Sequence, residues 1–109
     1  MNSAADRSPV IILTTLGATT DADAFARALV TERLAACVNV LPAMTSLYWW
    51  KGGIEEDAER QLVIKTTRDR VEALEAKFRN VHPYELPEFV ILEAGASAGY
   101  LEWLRESTK

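Results

Sequence analysis

The sequence predicts an α+β sandwich in which two helices cover one face of a four-stranded antiparallel sheet, in the order βαββαβ, with a further helix closing the chain. Three observations point there. Short β-branched runs alternate with stretches whose apolar residues recur at helical spacing. Two long strand-like runs meet at Lys51-Gly52-Gly53 with no helix between them. The chain has 109 residues, 49% apolar and 26% charged, which suits one self-sufficient core. Residues 10–109 are read as that single domain and residues 1–9 as a flexible leading segment.

The first strand is Val10-Ile11-Ile12-Leu13-Thr14-Thr15, bounded by Pro9 and Gly17. A helix begins near Thr20-Asp21, which can cap its free amides, and Ala22, Phe25, Ala26, Leu29 and Val30 form its apolar face. The second strand starts at about Ala36 and runs, interrupted at Pro42, to Trp50. After the Lys51-Gly52-Gly53 turn, the third returns from Ile54 through Leu62, Val63 and Ile64 to Thr67. Thr66-Thr67 reads as capping for a second helix with Val71, Leu74 and Phe78 inward. That helix must stop before Pro83, because proline pushes the residue ahead of it, His82, toward extended geometry. Phe89-Val90-Ile91-Leu92 is the last core strand, entered through Pro87, and residues 98–106 are the closing helix. The order is the ferredoxin-like split pattern with a long hairpin between its second and third strands.

That hairpin is too long for its domain. Fully extended at ~3.3 Å per residue, residues 36–50 would reach roughly 50 Å. A compact domain of this size has a radius of gyration near ~13 Å and a diameter of roughly 34 Å. An isolated two-stranded ribbon is marginal in water, so the protruding Leu47, Tyr48, Trp49 and Trp50 are expected to pack on another copy of the chain. The alternative is that Pro42 bends the ribbon back onto its own sheet and makes the tryptophans local core.

The formal net charge is -4 and no stretch clusters Lys or Arg, which argues against nucleic acid as a partner; Trp49 and Trp50 as base-stacking platforms would need a positive groove. No apolar run approaches the ~20 residues needed to cross a bilayer, and residues 1–9 lack a signal-peptide core, so no membrane partner and a cytoplasmic location are expected. Cys37 is the only cysteine, which rules out an intrachain disulfide, and its apolar neighbours suggest a small buried hydrophobe. No nucleophile elbow, Walker loop, dinucleotide-binding glycine motif or HExxH occurs, so a non-enzymatic role is expected.

The only histidine lies in His82-Pro83-Tyr84-Glu85-Leu86-Pro87-Glu88. Two prolines stiffen this run, and a strand-like path would put His82, Tyr84, Leu86 and Glu88 on one side and Glu85 on the other. An imidazole, a phenol and a carboxylate would then stand together. His82 is the candidate metal ligand or general base, because its ordinary pKa lies near neutrality and its neutral ring coordinates borderline metals. The plainer reading is a half-buried histidine that bonds the backbone and fixes the loop before the fourth strand.

Together with Leu34-Ala35-Ala36-Cys37-Val38-Asn39, Ser46-Leu47-Tyr48-Trp49-Trp50, Ile64-Lys65-Thr66 and Tyr100-Leu101-Glu102-Trp103-Leu104, in that order, this heptad resembles the CutA family of divalent-cation tolerance proteins over residues 10–104. The resemblance implies a compact homotrimer akin to the PII-type signalling proteins, a role in response or tolerance to divalent metal ions, and no required cofactor. In some CutA proteins copper binding is ascribed to a cysteine ending the first strand and to two adjacent histidines before the proline. This chain has Thr14 and Val81 at the first two of those positions and keeps His82. His82 is thus the metal residue the resemblance carries over, and a divalent cation, copper or another, is expected to be held weakly. The family motifs also bring Lys65, Tyr84, Glu59 and Glu88 into view as the lining of an intersubunit cleft for a small anion or metabolite. A plain intersubunit ion pair of Lys65 with Glu59 or Glu88 stands beside that reading.

Three functional readings follow: a non-enzymatic homotrimer of metal tolerance, a PII-like module sensing a small ligand between subunits, and an enzyme using His82 and Glu88 as acid and base. The last has neither nucleophile nor cofactor motif to support it.

Overall fold

The computed structural model describes residues 6–109. Its elements are β1 (Pro9–Gly17), α1 (Ala22–Thr31), β2 (Cys37–Trp50), β3 (Gly53–Thr67), a 3-10 turn (Arg68–Arg70), α2 (Val71–Val81), β4 (Val90–Glu93) and α3 (Ala98–Ser107). The four strands form one antiparallel sheet in the order β2-β3-β1-β4, the ferredoxin-like arrangement the element order predicts. Val10 and Ile12 of β1 and Ile64 of β3 meet Leu29 of α1 and Val71, Leu74 and Phe78 of α2 in the main core. Side chains of this kind each stabilise the fold by about 1.5–3 kcal/mol when fully buried. Asp21 caps α1, its Oδ1 accepting the Ala24 N–H at 3.0 Å. α2 ends at Val81, and His82 is extended with ψ 133°, as the following proline demands.

The hairpin is long and stays long. β2 and β3 pair from Cys37↔Lys65 to Trp50↔Gly53, and the molecule measures 43 × 29 × 25 Å with a radius of gyration of 14.6 Å. Pro42 does not fold the ribbon back. It sits with Leu41 in a bulge, where the register shifts between Val40↔Leu62 and Ala43↔Arg60, so the missing proline donor is absorbed at an irregularity. The bulge also reverses which side chains face which way. Val40 pairs with the core residue Leu62, whereas Met44, likewise even-numbered, pairs with Glu59, three residues from Leu62 and on the other face. Met44, Ser46, Tyr48 and Trp50 therefore share the face of Asp57, Glu59 and Gln61, and Leu47, Trp49 and Ile54 share the opposite one. At the tip Lys51 and Gly52 have φ of 49° and 82°, the mirror-image turn that suits a two-residue hairpin.

Several expectations are corrected. Val30 is exposed rather than part of the inward face of α1. β4 is an edge strand whose Val90, Ile91 and Leu92 are all exposed in the single chain. Cys37 is half-buried at the start of the other edge strand, not buried. Thr66 and Thr67 do not cap a helix: the Thr66 hydroxyl donates to the Leu34 carbonyl at 2.7 Å and that of Thr67 to Asp69 Oδ1 at 2.6 Å. Of the leading segment, residues 1–5 lie outside the described residues, but the rest is not loose. Arg7 pairs with Asp69 at 2.6 Å and reaches the Thr108 hydroxyl at 3.2 Å, the Arg68 amide donates to the Ser8 carbonyl, and β1 begins at Pro9.

Candidate functional site

The segment between α2 and β4 runs beside β1 and crosses toward the face of the sheet that the helices leave open. Its anchor is His82, which is 8% exposed and packed edge-on against Phe25 of α1. Its ring centroid is also 5.8 Å from that of Phe78 and 5.1 Å from that of Tyr84. Nε2 lies 2.9 Å from the Thr15 carbonyl, and Nδ1 accepts the Tyr84 N–H at 3.2 Å. Since a carbonyl can only accept and an amide N–H only donate, these partners select the neutral tautomer protonated on Nε2. Burial pushes the imidazole below its usual pKa, against the opposing pull of the Thr15 carbonyl and the Glu59 charge.

Tyr84, held by that anchor, donates its hydroxyl to Glu59 Oε2 at 2.7 Å. Burial first and the Glu59 carboxylate second push the phenol well above its ordinary range. Glu88, at the far end of the heptad, accepts from Gln61 Nε2 at 3.1 Å, and the same amide donates to the Thr14 carbonyl at 2.6 Å. Further out, the Tyr48 hydroxyl bonds Asp57, which pushes that phenol up to about 12. These groups line one groove of about 810 Å³ between the hairpin arm and residues 83–88, with Trp50, Pro83, Leu86 and Pro87 supplying apolar wall.

The structure brings Tyr84, Glu88 and Glu59 to the groove with His82 buried beside Tyr84, but the heptad bends at residues 83–86 instead of following the expected strand-like path, and Glu85, expected on the other side, lines the same groove. Lys65 is not among them. It stands six residues along β3 from Glu59, ~20 Å of strand, beside Pro9, Ser97 and Tyr100 in a separate cavity of about 300 Å³. Gln61, Asp57 and Thr15 escaped the sequence reading. The signal for the first two was there: they share the face of Glu59 at period two along a strand.

Of the residues to which copper binding is ascribed in some CutA proteins, this chain has only His82. Thr14 offers a hydroxyl, buried and without a hydrogen-bond partner among the described residues, and Val81 is an exposed hydrocarbon. His82 has both ring nitrogens engaged, so a metal at Nδ1 would have to displace the Tyr84 amide. Among the described residues no group of three or more His, Cys, Asp or Glu side chains could hold a metal ion. A soft ion preferring thiolate and imidazole finds neither a thiol nor a free ring nitrogen in this groove.

Comparison with known proteins agrees with the motif reading. Residues 10–107 match the model of the CutA1 divalent ion tolerance protein family. The divalent-cation tolerance protein CutA of Thermus thermophilus is 44% identical over 99 residues, 90% of this chain and 96% of its own. Protein CutA of Homo sapiens is 51% identical over 86 residues, 77% of this chain but 48% of its own, so the chain spans about half the length of that relative. The crystal structure of CutA1 from Oryza sativa superposes with a TM-score of 0.89 at 35% identity, covering 95% of this chain and 96% of the other. Motifs, fold and relatives coincide over nearly the whole chain, which belongs to the CutA1 divalent ion tolerance family.

Proposed function

We propose that the chain works as a non-enzymatic, cytoplasmic homotrimer in cellular tolerance to divalent cations, and that the groove beside the arm is its ligand cleft, completed by a neighbouring copy. The observation that carries the assembly is the outer face of the arm. Leu47, Trp49 and Ile54 form one apolar strip there and are 66%, 74% and 66% exposed in the single chain. Exposed β4 adds an unpaired sheet edge carrying Val90, Ile91 and Leu92. Apolar patches and open edges of this kind mark association surfaces, and a closed ring buries them on every copy alike.

The regulatory reading, a small ligand sensed in that cleft, is favoured by Tyr84 and Glu59, whose hydrogen-bonded pair is set in the groove wall by the His82 anchor. His82 acts here as a positioning residue. A divalent ion, copper or another, would meet scattered carboxylates and be held weakly. Light scattering combined with calorimetric titration of copper, zinc and cadmium tests the proposal. A trimer whose weak metal binding is unchanged in His82→Ala is expected; a stable monomer at micromolar concentration, or tight copper binding lost in that variant, overturns it.

A further inference from the structure

The three helices are not anchored alike. α1 buries Ala22, Ala26 and Leu29, and α2 buries Val71, Leu74 and Phe78, whereas Leu104 is the only apolar side chain that α3 buries. Beneath the first half of α3 lies the cavity of about 300 Å³ that Ile11 and Lys65 line from the sheet and Ser97 and Tyr100 from the helix. A helix of 10 residues does not hold its shape alone in water, so other contacts must seat it.

Those contacts converge on its carbonyl end. The last carbonyls of an α-helix have no partner within the helix, and the aligned peptide dipoles leave that end negative. Guanidinium groups from three separate elements meet it here. Arg7, ahead of β1, donates through Nη2 to the Arg105 carbonyl and the Thr108 hydroxyl. Arg33, between α1 and β2, donates to the Ser107 carbonyl at 3.3 Å, and Arg70 of the 3-10 turn donates to the Thr108 carbonyl at 2.6 Å. Arg105 answers the first bond, its Nε donating to the Arg7 carbonyl at 3.0 Å. Arg7 is held in turn: Nη1 reaches Asp69 at 2.6 Å and the Thr67 hydroxyl at 3.2 Å, and the Asp6 and Ser8 carbonyls accept the Asp69 and Arg68 amides.

Arg33 is an independent sign that this end is built for α3. Its φ is 63°, the left-handed conformation that closes a helix and that glycine ordinarily occupies. Arginine is strained there where glycine would not be, and its side chain spends that position on a bond to α3.

We propose that Arg7, Arg33 and Arg70 form a latch for α3: the helix opens as a unit of its own, without the core, and residues 6–8 govern the opening. An open α3 uncovers Ile11 and Lys65 on the face of the sheet that α1 and α2 leave bare. The inference is separate from the cleft reading, which concerns the groove at the other end of β3.

Residue-resolved amide hydrogen exchange on the full chain in its native assembly tests the latch. In the parent, the amides of residues 101–107 should exchange at least about tenfold faster than the paired amides of β1 and β3. Arg7→Ala removes hydrogen bonds from a charged donor, and should quicken α3 by a further factor of about ten or more while β1 and β3 stay as they were. Arg33→Gly should also quicken α3, although it relaxes the end of α1, and it serves if Arg7→Ala fails to fold. Unchanged α3 exchange in either folded variant, the result if neighbouring copies seat the helix, overturns the proposal. So does an equal quickening of β1 and β3, which would make α3 part of one cooperative core.

Discussion

The helix-covered half of the sheet and the hairpin arm share the strands β2 and β3, yet they end in opposite conditions. In the first, Ile64 and Leu62 of β3 are fully buried under α1 and α2; in the second, Ile54 of the same strand is 66% exposed. Nothing in β-propensity distinguishes these positions. The difference is that the helices cover only one end of a ribbon 14 and 15 residues long, so the remainder has no partner in its own chain. One half is completed by folding and the other by association. Variants in the two halves should therefore fail in different measurements.

The largest effect is expected in the covered half. Phe78 is 1% exposed and makes edge-on contacts with Phe25 and Phe89 at 5.4 and 5.0 Å, so Phe78→Ala removes a ring that no neighbour can replace. Destabilisation of about 3–5 kcal/mol is expected, seen as a lower midpoint in urea unfolding. A loss below about 1 kcal/mol would mean that the core tolerates the cavity and that the contrast between the halves is overstated.

Trp49 gives the opposite signature. At 74% exposure it contributes little to its own protomer, so Trp49→Ala should leave monomer unfolding within about 0.5 kcal/mol of the parent. In the proposed assembly it becomes an interface anchor, and truncating such an aromatic costs about 2 kcal/mol or more of association free energy. Concentration-dependent light scattering should show the variant dissociating where the parent does not. Equal dissociation curves would place the contact surface elsewhere, with β4 the next candidate.

Legibility from sequence followed the same divide. Elements whose burial is settled within the chain were readable from period and punctuation: β1 from its β-branched run, α1 from Asp21 and the spacing of Ala22, Ala26 and Leu29, and the end of α2 from Pro83. Readings failed where a neighbour in space decides the outcome. Phe89-Val90-Ile91-Leu92 has the composition of a core strand, and only the sheet order reveals it as an edge. Pro42 announced an irregularity, but not that a bulge there would turn Tyr48 and Trp50 toward Glu59. Within the site, the nearness of His82, Tyr84 and Glu88 follows from a seven-residue run, but the run bends at residues 83–86, so the expected alternation that set Glu85 apart does not hold, and the Tyr84–Glu59 bond depends on a strand more than twenty residues away in sequence. Lys65 was grouped with these residues by family motif, and the register sets it apart within one chain.

His82 is where the two halves meet, since its ring packs on Phe25 and Phe78 while its Nδ1 holds the amide of the groove residue Tyr84. Its pKa is lowered in the fold, chiefly by burial, from the ordinary value of 6.5. Above pH 6.5 the ring is neutral in the folded and unfolded states alike, and its hydrogen bonds are intact. As pH falls below that value the unfolded chain takes up a proton that the folded chain resists, so stability declines until the folded value is passed. The slope from this one group is at most about 1.4 kcal/mol per pH unit. His82→Asn retains a side-chain acceptor near the Tyr84 amide but cannot titrate or donate to Thr15 in the same way. It should be about 1 kcal/mol less stable at pH 7.5, with a shallower loss between pH 6.5 and 5. Urea unfolding across that range decides the matter: parallel pH slopes in parent and variant would mean that His82 takes up its proton as readily in the folded chain as in the unfolded one, so that neither burial nor the Tyr84 amide at Nδ1 holds the ring neutral.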